Sequence, residues 1–90
     1  MYGIDKIKAS LKGYTLLITG GGSGIGYATA KLFAKMDANI AINYLPEDTI
    51  SKNRVKKLKE KYINIIEVPG DVSQEIIAKK IIFETIEKFK

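Results

Sequence analysis

The sequence predicts an α/β fold in which three short parallel strands alternate with three helices, in the order βαβαβα, with helices on both faces of the sheet. Short apolar runs rich in β-branched residues alternate with longer segments whose apolar residues recur at helical spacing. Glycine, proline, asparagine or aspartate separates these segments. The chain has 90 residues, 46% of them hydrophobic, which is enough for one core. We therefore expect residues 1–90 to form a single domain.

The first half of the chain supplies the first two strands. Ile4, Ile7 and Leu11 recur at helical spacing and predict a short leading helix or turn. Residues 14–19 form an apolar run typical of a strand that is buried on both faces, and residues 40–44 form the second strand, ended by Pro46. The helix between them has a predicted apolar face made of Ile25, Ala28, Thr29, Leu32, Phe33 and Met36.

The second half supplies two more helices and the third strand. A helix begins after Asp48 and continues to about Lys61, with an expected inner face of Ile50, Arg54, Val55, Leu58 and Tyr62. Residues 63–68 form the third strand. Ser73 is expected to cap the last helix, whose predicted inward residues are Ile77, Ile81, Ile82, Ile86 and Phe89.

Composition narrows the possible chemistry. The chain has no cysteine and no histidine, which excludes disulfides, thiolate or imidazole metal sites, and Cys or His nucleophiles. The absence of a secretory signal or a long apolar run predicts a soluble cytoplasmic protein that does not enter a membrane. The net charge is +5, and most of the excess lies in one helix, at Lys52, Arg54, Lys56, Lys57, Lys59 and Lys61.

One loop carries the chemistry. Five glycines occur within residues 19–26, between the first strand and the first long helix. A diphosphate can approach a backbone closely where Cβ atoms are absent, and the free N–H groups of the following helix stabilise it. The loop has no Lys-Ser or Lys-Thr pair of a Walker motif, and it does not fit G-x-G-x-x-G. It fits T-G-x-x-x-G-x-G, with Thr19, Gly20, Gly24 and Gly26 in place.

On this motif the chain resembles the short-chain dehydrogenase/reductase family. Residues 11–13, 40–44 and 70–72 agree with the family pattern as well, so the resemblance covers nearly the whole chain. It implies the front half of a Rossmann-like domain, truncated before the fourth strand. It also implies that the loop, with Gly20, Gly22, Gly24, Ile25 and Gly26, binds the diphosphate of NAD or NADP, and that Asp71 and Val72 flank the adenine.

Cofactor choice in this family depends on the end of the second strand, where a carboxylate binds the ribose 2′-hydroxyl of NAD and repels the phosphate of NADP. This chain has Asn43 there. Relatives that prefer NADP often carry a basic residue at the position of Ser23 or of Tyr44, and neither position is basic here. The missing carboxylate favours NADP over NAD, with Ser23, Asn43 and Tyr44 as candidate contacts.

No catalytic residue is expected in this chain. The resemblance implies that the serine, tyrosine and lysine of hydride transfer follow the part of the family pattern found here. Two Tyr-x-x-x-Lys pairs occur, Tyr2 with Lys6 and Tyr27 with Lys31, and both are expected by chance among 5 tyrosines and 15 basic residues.

These observations favour an NAD(P)-binding part of an oxidoreductase that is inactive alone, and they leave two alternatives open. A second polypeptide could complete the enzyme, or the lysine-rich helix could bind nucleic acid. A solvated helix face explains the lysines more simply, since no aromatic residues interleave with them and Glu60 interrupts them. The first strand would be an unpaired edge without the fourth, so we expect a homodimer or a complementary chain as partner.

Overall fold

The computed structural model describes residues 10–90 and contains one three-stranded parallel sheet. The strands are β1 (Thr15–Ile18), β2 (Asn39–Ile42) and β3 (Ile65–Glu67). They lie in the order β1-β2-β3, with β2 in the centre. The helices are α1 (Gly24–Lys35), α2 (Thr49–Lys61) and α3 (Glu75–Phe89). The predicted βαβαβα order is confirmed, while Ile4 and Ile7 of the predicted leading helix lie outside the described residues.

The helices cover both faces of the sheet, as predicted. On one face, Ile40 and Ile42 of β2 pack with Ala30 and Ala34 of α1 and with Val55 of α2. On the other face, Ala41 packs with Val68 and with Ile81 of α3. Because side chains of a strand alternate between the two faces, β2 contributes to both cores. This double burial explains why its sequence is an almost unbroken apolar run.

The strands are shorter than the sequence predicted. Ile63 lies before the start of β3, and its side chain is 96% exposed. Tyr14 lies before the start of β1, and its side chain is 65% exposed. At the other end, Thr19 lies in the turn after β1. Apolar composition therefore marked each strand correctly but did not mark its ends.

Several residues expected on the inner helix faces are instead exposed. In α1 the buried residues are Ala30 and Ala34, whereas Ile25 and Ala28 are exposed. These small residues let α1 approach the sheet closely. A pattern based on large apolar side chains does not identify such buried alanines. The other exposed residues of the predicted inner faces are Ile50 and Arg54 of α2 and Ile82 and Ile86 of α3.

Ser73 does not cap α3, contrary to the prediction. The residue at the N-cap position is Gln74, which makes no side-chain cap. The Ser73 hydroxyl instead donates to Oδ1 of Asp71 at 2.6 Å, and the Ser73 N–H donates to the same oxygen at 3.0 Å. Ser73 thus belongs to a tight turn around Asp71, one residue before the N-cap of the helix.

Candidate functional site

The loops that follow the three strands converge at one edge of the sheet. The N–H of Gly21 donates to the carbonyl of Asn43 at 2.8 Å, which joins the loop after β1 to the end of β2. The N–H of Gly70 donates to the carbonyl of Tyr44 at 3.0 Å, which joins the end of β2 to the loop after β3. The carboxyl ends of parallel strands are where ligands bind in open α/β sheets. The predicted site segments are therefore neighbours in space.

The glycine loop combines open positions with closely packed ones. Gly20 and Gly24 have φ values of +61° and +54°, a backbone conformation that other residues rarely adopt, and a Cβ at either would meet nothing within 4 Å. A Cβ at Gly26 would collide with the carbonyl oxygen of Gly20, and one at Gly22 would collide with Ser51. The loop is thus closed on its protein side and open at Gly20 and Gly24.

The start of α1 has no side-chain cap. Ser23 is the N-cap residue and has an extended backbone, but its hydroxyl makes no capping hydrogen bond. No acidic residue lies in the first turn, and Ile25 there is 87% exposed. The first N–H groups of a helix need acceptors from outside the helix, and an anion can supply them.

The Asn43 side chain, a predicted ribose contact, has a structural role at the end of β2. The residue is 3% exposed, and its Nδ2 donates to the carbonyl oxygens of Val68 at 3.0 Å and Gly70 at 3.1 Å. The side chain therefore holds the end of β2 to the segment that follows β3. An amide can donate both hydrogen bonds, whereas a carboxylate can only accept.

The Tyr44 side chain is also committed to the fold. Its ring lies in the core between the sheet and the helices α1 and α2, and its hydroxyl donates to Oε1 of Glu67. Burial raises the pKa of Tyr44, and the hydrogen bond and negative charge of Glu67 raise it further. Burial alone would raise the pKa of Glu67, but the hydrogen bonds from Tyr44 and Lys59, together with the charges of Lys59 and Lys56, outweigh it and the pKa is lowered.

Asp71 and Val72 lie at the same edge of the sheet and are open to solvent to different degrees. The hydrogen bonds from Ser73 lower the pKa of Asp71. Val72 is 37% exposed. Gly70, which connects them to β3, packs so closely on α3 that a Cβ there would approach Ile77 to 2.7 Å. The segment is thus held in place while one apolar side chain remains accessible.

The start of α2 forms a wall of the glycine loop, which the sequence did not predict. Asp48 caps this helix, since its Oδ1 accepts from the N–H of Ser51 at 3.0 Å and its Oδ2 from the Ser51 hydroxyl at 2.6 Å. These hydrogen bonds lower the pKa of Asp48, and the charge of Arg54 lowers it further. Ser51 packs on Gly22, and Nη1 of Arg54 lies 3.4 Å from the Gly22 carbonyl oxygen. The sequence contains one signal for this contact: the small residue Ser51 stands three positions after the capping residue Asp48, where it can pack closely against a glycine.

The Tyr27 side chain, from the Tyr-x-x-x-Lys pair of α1, lies against α2. The Tyr27 hydroxyl lies 3.4 Å from the backbone carbonyl oxygen of Arg54, so it points to α2. The ammonium group of Lys31 lies 5.5 Å from the centre of the Tyr27 ring. Tyr2 and Lys6 lie outside the described residues. Among residues 10–90 there is neither a cluster of acidic residues that could hold a metal ion nor a helix long and apolar enough to cross a membrane.

Comparisons with known proteins agree with this geometry. A family model described as short chain dehydrogenase matches residues 14–90. The uncharacterized oxidoreductase YhdF of Bacillus subtilis is 38% identical over 79 residues, which are 88% of this chain and 27% of that protein. The L-rhamnose-1-dehydrogenase of Scheffersomyces stipitis is 32% identical over 82 residues, which are 88% of this chain and 32% of that protein.

Solved structures share the fold. L-sorbose reductase from Gluconobacter frateurii, complexed with NADPH and L-sorbose, has a TM-score of 0.80 and 28% identity over 92% of this chain and 32% of its own. A short chain dehydrogenase/reductase from Burkholderia phymatum in complex with NAD has a TM-score of 0.80 and 25% identity over 89% of this chain and 28% of its own. The chain therefore spans about a third or less of the length of the proteins it matches.

Proposed function

The chain belongs to the short-chain dehydrogenase family, and from this premise we propose that it binds NADP or NAD as the cofactor-binding part of an oxidoreductase. The observation that carries the proposal is the glycine loop at the uncapped start of α1, open at Gly20 and Gly24 and closed at Gly22 and Gly26. The diphosphate would accept hydrogen bonds from the first N–H groups of α1.

The rest of the cofactor would lie along the same edge of the sheet. The adenine would lie against Val72 and Asp71, after β3, and the adenosine ribose would lie between the glycine loop and the end of β2. Thr19 and Ser23, both exposed, would border the diphosphate and the ribose, respectively. Asn43 and Tyr44 would contribute backbone groups at most, since their side chains bond to other parts of the protein.

Hydride transfer by this chain alone is not expected. The family's catalytic serine, tyrosine and lysine match no group of residues here, and the chain spans about a third or less of its relatives. Its contribution is to bind and orient the cofactor, whose nicotinamide ring supplies the hydride when bound. A cytoplasmic location remains a prediction of the sequence.

A titration of the purified chain with NADPH, NADH and ATP tests the binding function. We expect both dinucleotides to bind. ATP shares their adenosine and phosphates but lacks the nicotinamide riboside, so tighter binding of the dinucleotides would show that this second nucleoside also contacts the chain. Gly24→Val should abolish the binding, because it places a branched side chain in the open space over the loop and strains a backbone with φ of +54°. Equal binding by wild type and Gly24→Val would contradict the proposal.

We also propose that protein covers the free edge of β1 and the outer side of α3. Within the described residues β1 has one neighbouring strand, so its other edge offers unpaired N–H and C=O groups. On the outer side of α3, Ile82, Phe83 and Ile86 are each about half exposed or more. A groove of about 210 Å³ runs between β1 and the end of α3. In solutions of this chain alone, a second copy would cover these surfaces.

Sedimentation equilibrium tests this association. The expected result is a dimer for the wild type and a monomer for Ile86→Glu, because a charge at residue 86 would have to be buried in the interface. Ile63→Glu is the matched control, since residue 63 is an exposed isoleucine that precedes β3 at the opposite side of the sheet. A wild-type monomer would refute the homodimer and favour a different polypeptide as the partner at this edge.

A further inference from the structure

A positive charge from α2 lies beside the glycine loop. Nη1 of Arg54 is 3.4 Å from the carbonyl oxygen of Gly22, and Ser51 packs against the same glycine one turn earlier in α2. The Arg54 side chain is exposed to solvent, so its guanidinium group lies on the surface of the loop. The two residues are 32 positions apart in the sequence, so no local sequence motif could indicate this contact.

The position of this charge is significant because the two expected positions are neutral. Residue 23 is serine, and residue 44 is a tyrosine whose hydroxyl bonds to Glu67. Gly22 directly precedes residue 23. The guanidinium group of Arg54 therefore lies beside the residue that precedes position 23.

We propose that Arg54 binds the ribose 2′-phosphate of NADP(H) and so makes this chain prefer NADP(H) to NAD(H). The inference rests on the proposed function, since it requires the dinucleotide to lie across the glycine loop. The sequence spacing of Arg54 predicts a position on the inner face of α2, but the residue is exposed. Its geometry gives it a role in cofactor selection instead.

The chemistry of the guanidinium group suits this role. Arginine has five N–H donors in a planar arrangement, and the contact with Gly22 uses one of them. The remaining donors can form the paired hydrogen bonds that a phosphate accepts. Asp48 is the acidic neighbour, but both of its oxygens accept hydrogen bonds from Ser51. No carboxylate of residues 10–90 forms an ion pair with Arg54.

Calorimetric titration with 2′,5′-ADP and with ADP tests the inference. The two probes share the adenosine and carry phosphate in different places, so only the first reports on the 2′-phosphate. We expect Arg54→Gln to weaken binding of 2′,5′-ADP by about tenfold or more, because loss of one charge-assisted hydrogen bond changes the binding free energy by about that factor. Binding of ADP should change by less than about twofold in the same variant.

Two further variants serve as controls. Lys52→Gln removes the same charge from the same turn of α2 at another exposed position, and it should behave like the wild type. Arg54→Lys keeps the charge but loses the planar group, and it should retain part of the preference for 2′,5′-ADP. Circular dichroism checks that each variant is folded. If Arg54→Gln is unfolded, the binding of 2′,5′-ADP by Arg54→Lys decides the test.

The outcomes separate the inference from the function on which it rests. If the wild type binds neither probe nor the dinucleotides, both the function and the inference fail. If it binds NADPH and NADH but Arg54→Gln leaves the ratio between the two ADP probes unchanged, the inference alone fails. A similar loss of both probes in Arg54→Gln would also overturn it, because Arg54 would then act on the nucleotide generally.

Discussion

Replacing Asn43 by aspartate should destabilise the fold without turning the chain into an NAD-specific binder. The substitution keeps the size of the side chain but replaces a donor of two hydrogen bonds with an acceptor. The carbonyl oxygens of Val68 and Gly70, at 3.0 and 3.1 Å, would then face a carboxylate in a site that is 3% exposed.

The magnitude follows from these contacts. Loss of two hydrogen bonds costs about 1 kcal/mol each, and a buried charge without a partner raises the total to about 3–5 kcal/mol at neutral pH. That is a large part of the roughly 5–15 kcal/mol that stabilises a small domain. The new carboxyl group would have a higher pKa in the folded chain than in the unfolded one. The cost of its ionisation is therefore absent below the unfolded pKa and grows as the pH rises towards the folded value, whereas the cost of the lost amide hydrogen bond remains at every pH.

Urea unfolding followed by circular dichroism measures the effect at neutral pH and at about pH 4, near the ordinary pKa of aspartate. Asn53→Asp is the matched control, because it makes the same change at an exposed position of α2 and should alter stability by less than about 0.5 kcal/mol. Equal stability of the two variants, with a shift of the first towards NAD, would refute the reasoning. It would restore Asn43 as a contact of the ribose.

Two further predictions concern the packing around the site. Gly22→Ala should cost about 1–3 kcal/mol of unfolding free energy, because its Cβ would collide with Ser51, and a double-mutant cycle with Ser51→Gly should recover part of that loss. Additive losses in the cycle would contradict the contact. Glu67 has a lowered pKa, so its contribution to stability is present above the unfolded value of about 4.5 and is lost as the pH falls through the folded value. Glu67→Gln should therefore flatten acid unfolding below about pH 4.5, and an unchanged acid limb would show that Tyr44 and Lys59 do not stabilise the carboxylate.

The sequence predicted the parts of the fold that depend on local pattern. Apolar runs located the three strands, and helical spacing located the three helices between and after them, because burial on a sheet imposes both periods. The glycine loop was also visible, since its chemistry requires neighbouring residues without side chains. These features place the candidate site at the edge of the sheet where the loops after the strands converge.

Contacts between segments that are distant in the sequence could not be predicted from local patterns. Asn43 looked like a ribose contact because it ends a strand, yet its amide bonds to the segment after β3, about 25 residues away. Arg54 looked like a residue of the inner helix face, yet it reaches the glycine loop. Ser51 is buried where a helical pattern of large apolar residues would place Ile50, because only a small side chain fits against Gly22.

The central claim is that the glycine loop holds the diphosphate of a dinucleotide. Backbone amide NMR spectra of the chain, recorded during a titration with NADP⁺, test this claim most directly because each loop residue reports separately. The account predicts that the largest shifts occur at residues 20–26, with smaller ones at Val72. Shifts confined to the lysines of α2, or no shifts in the loop at saturation, would contradict it.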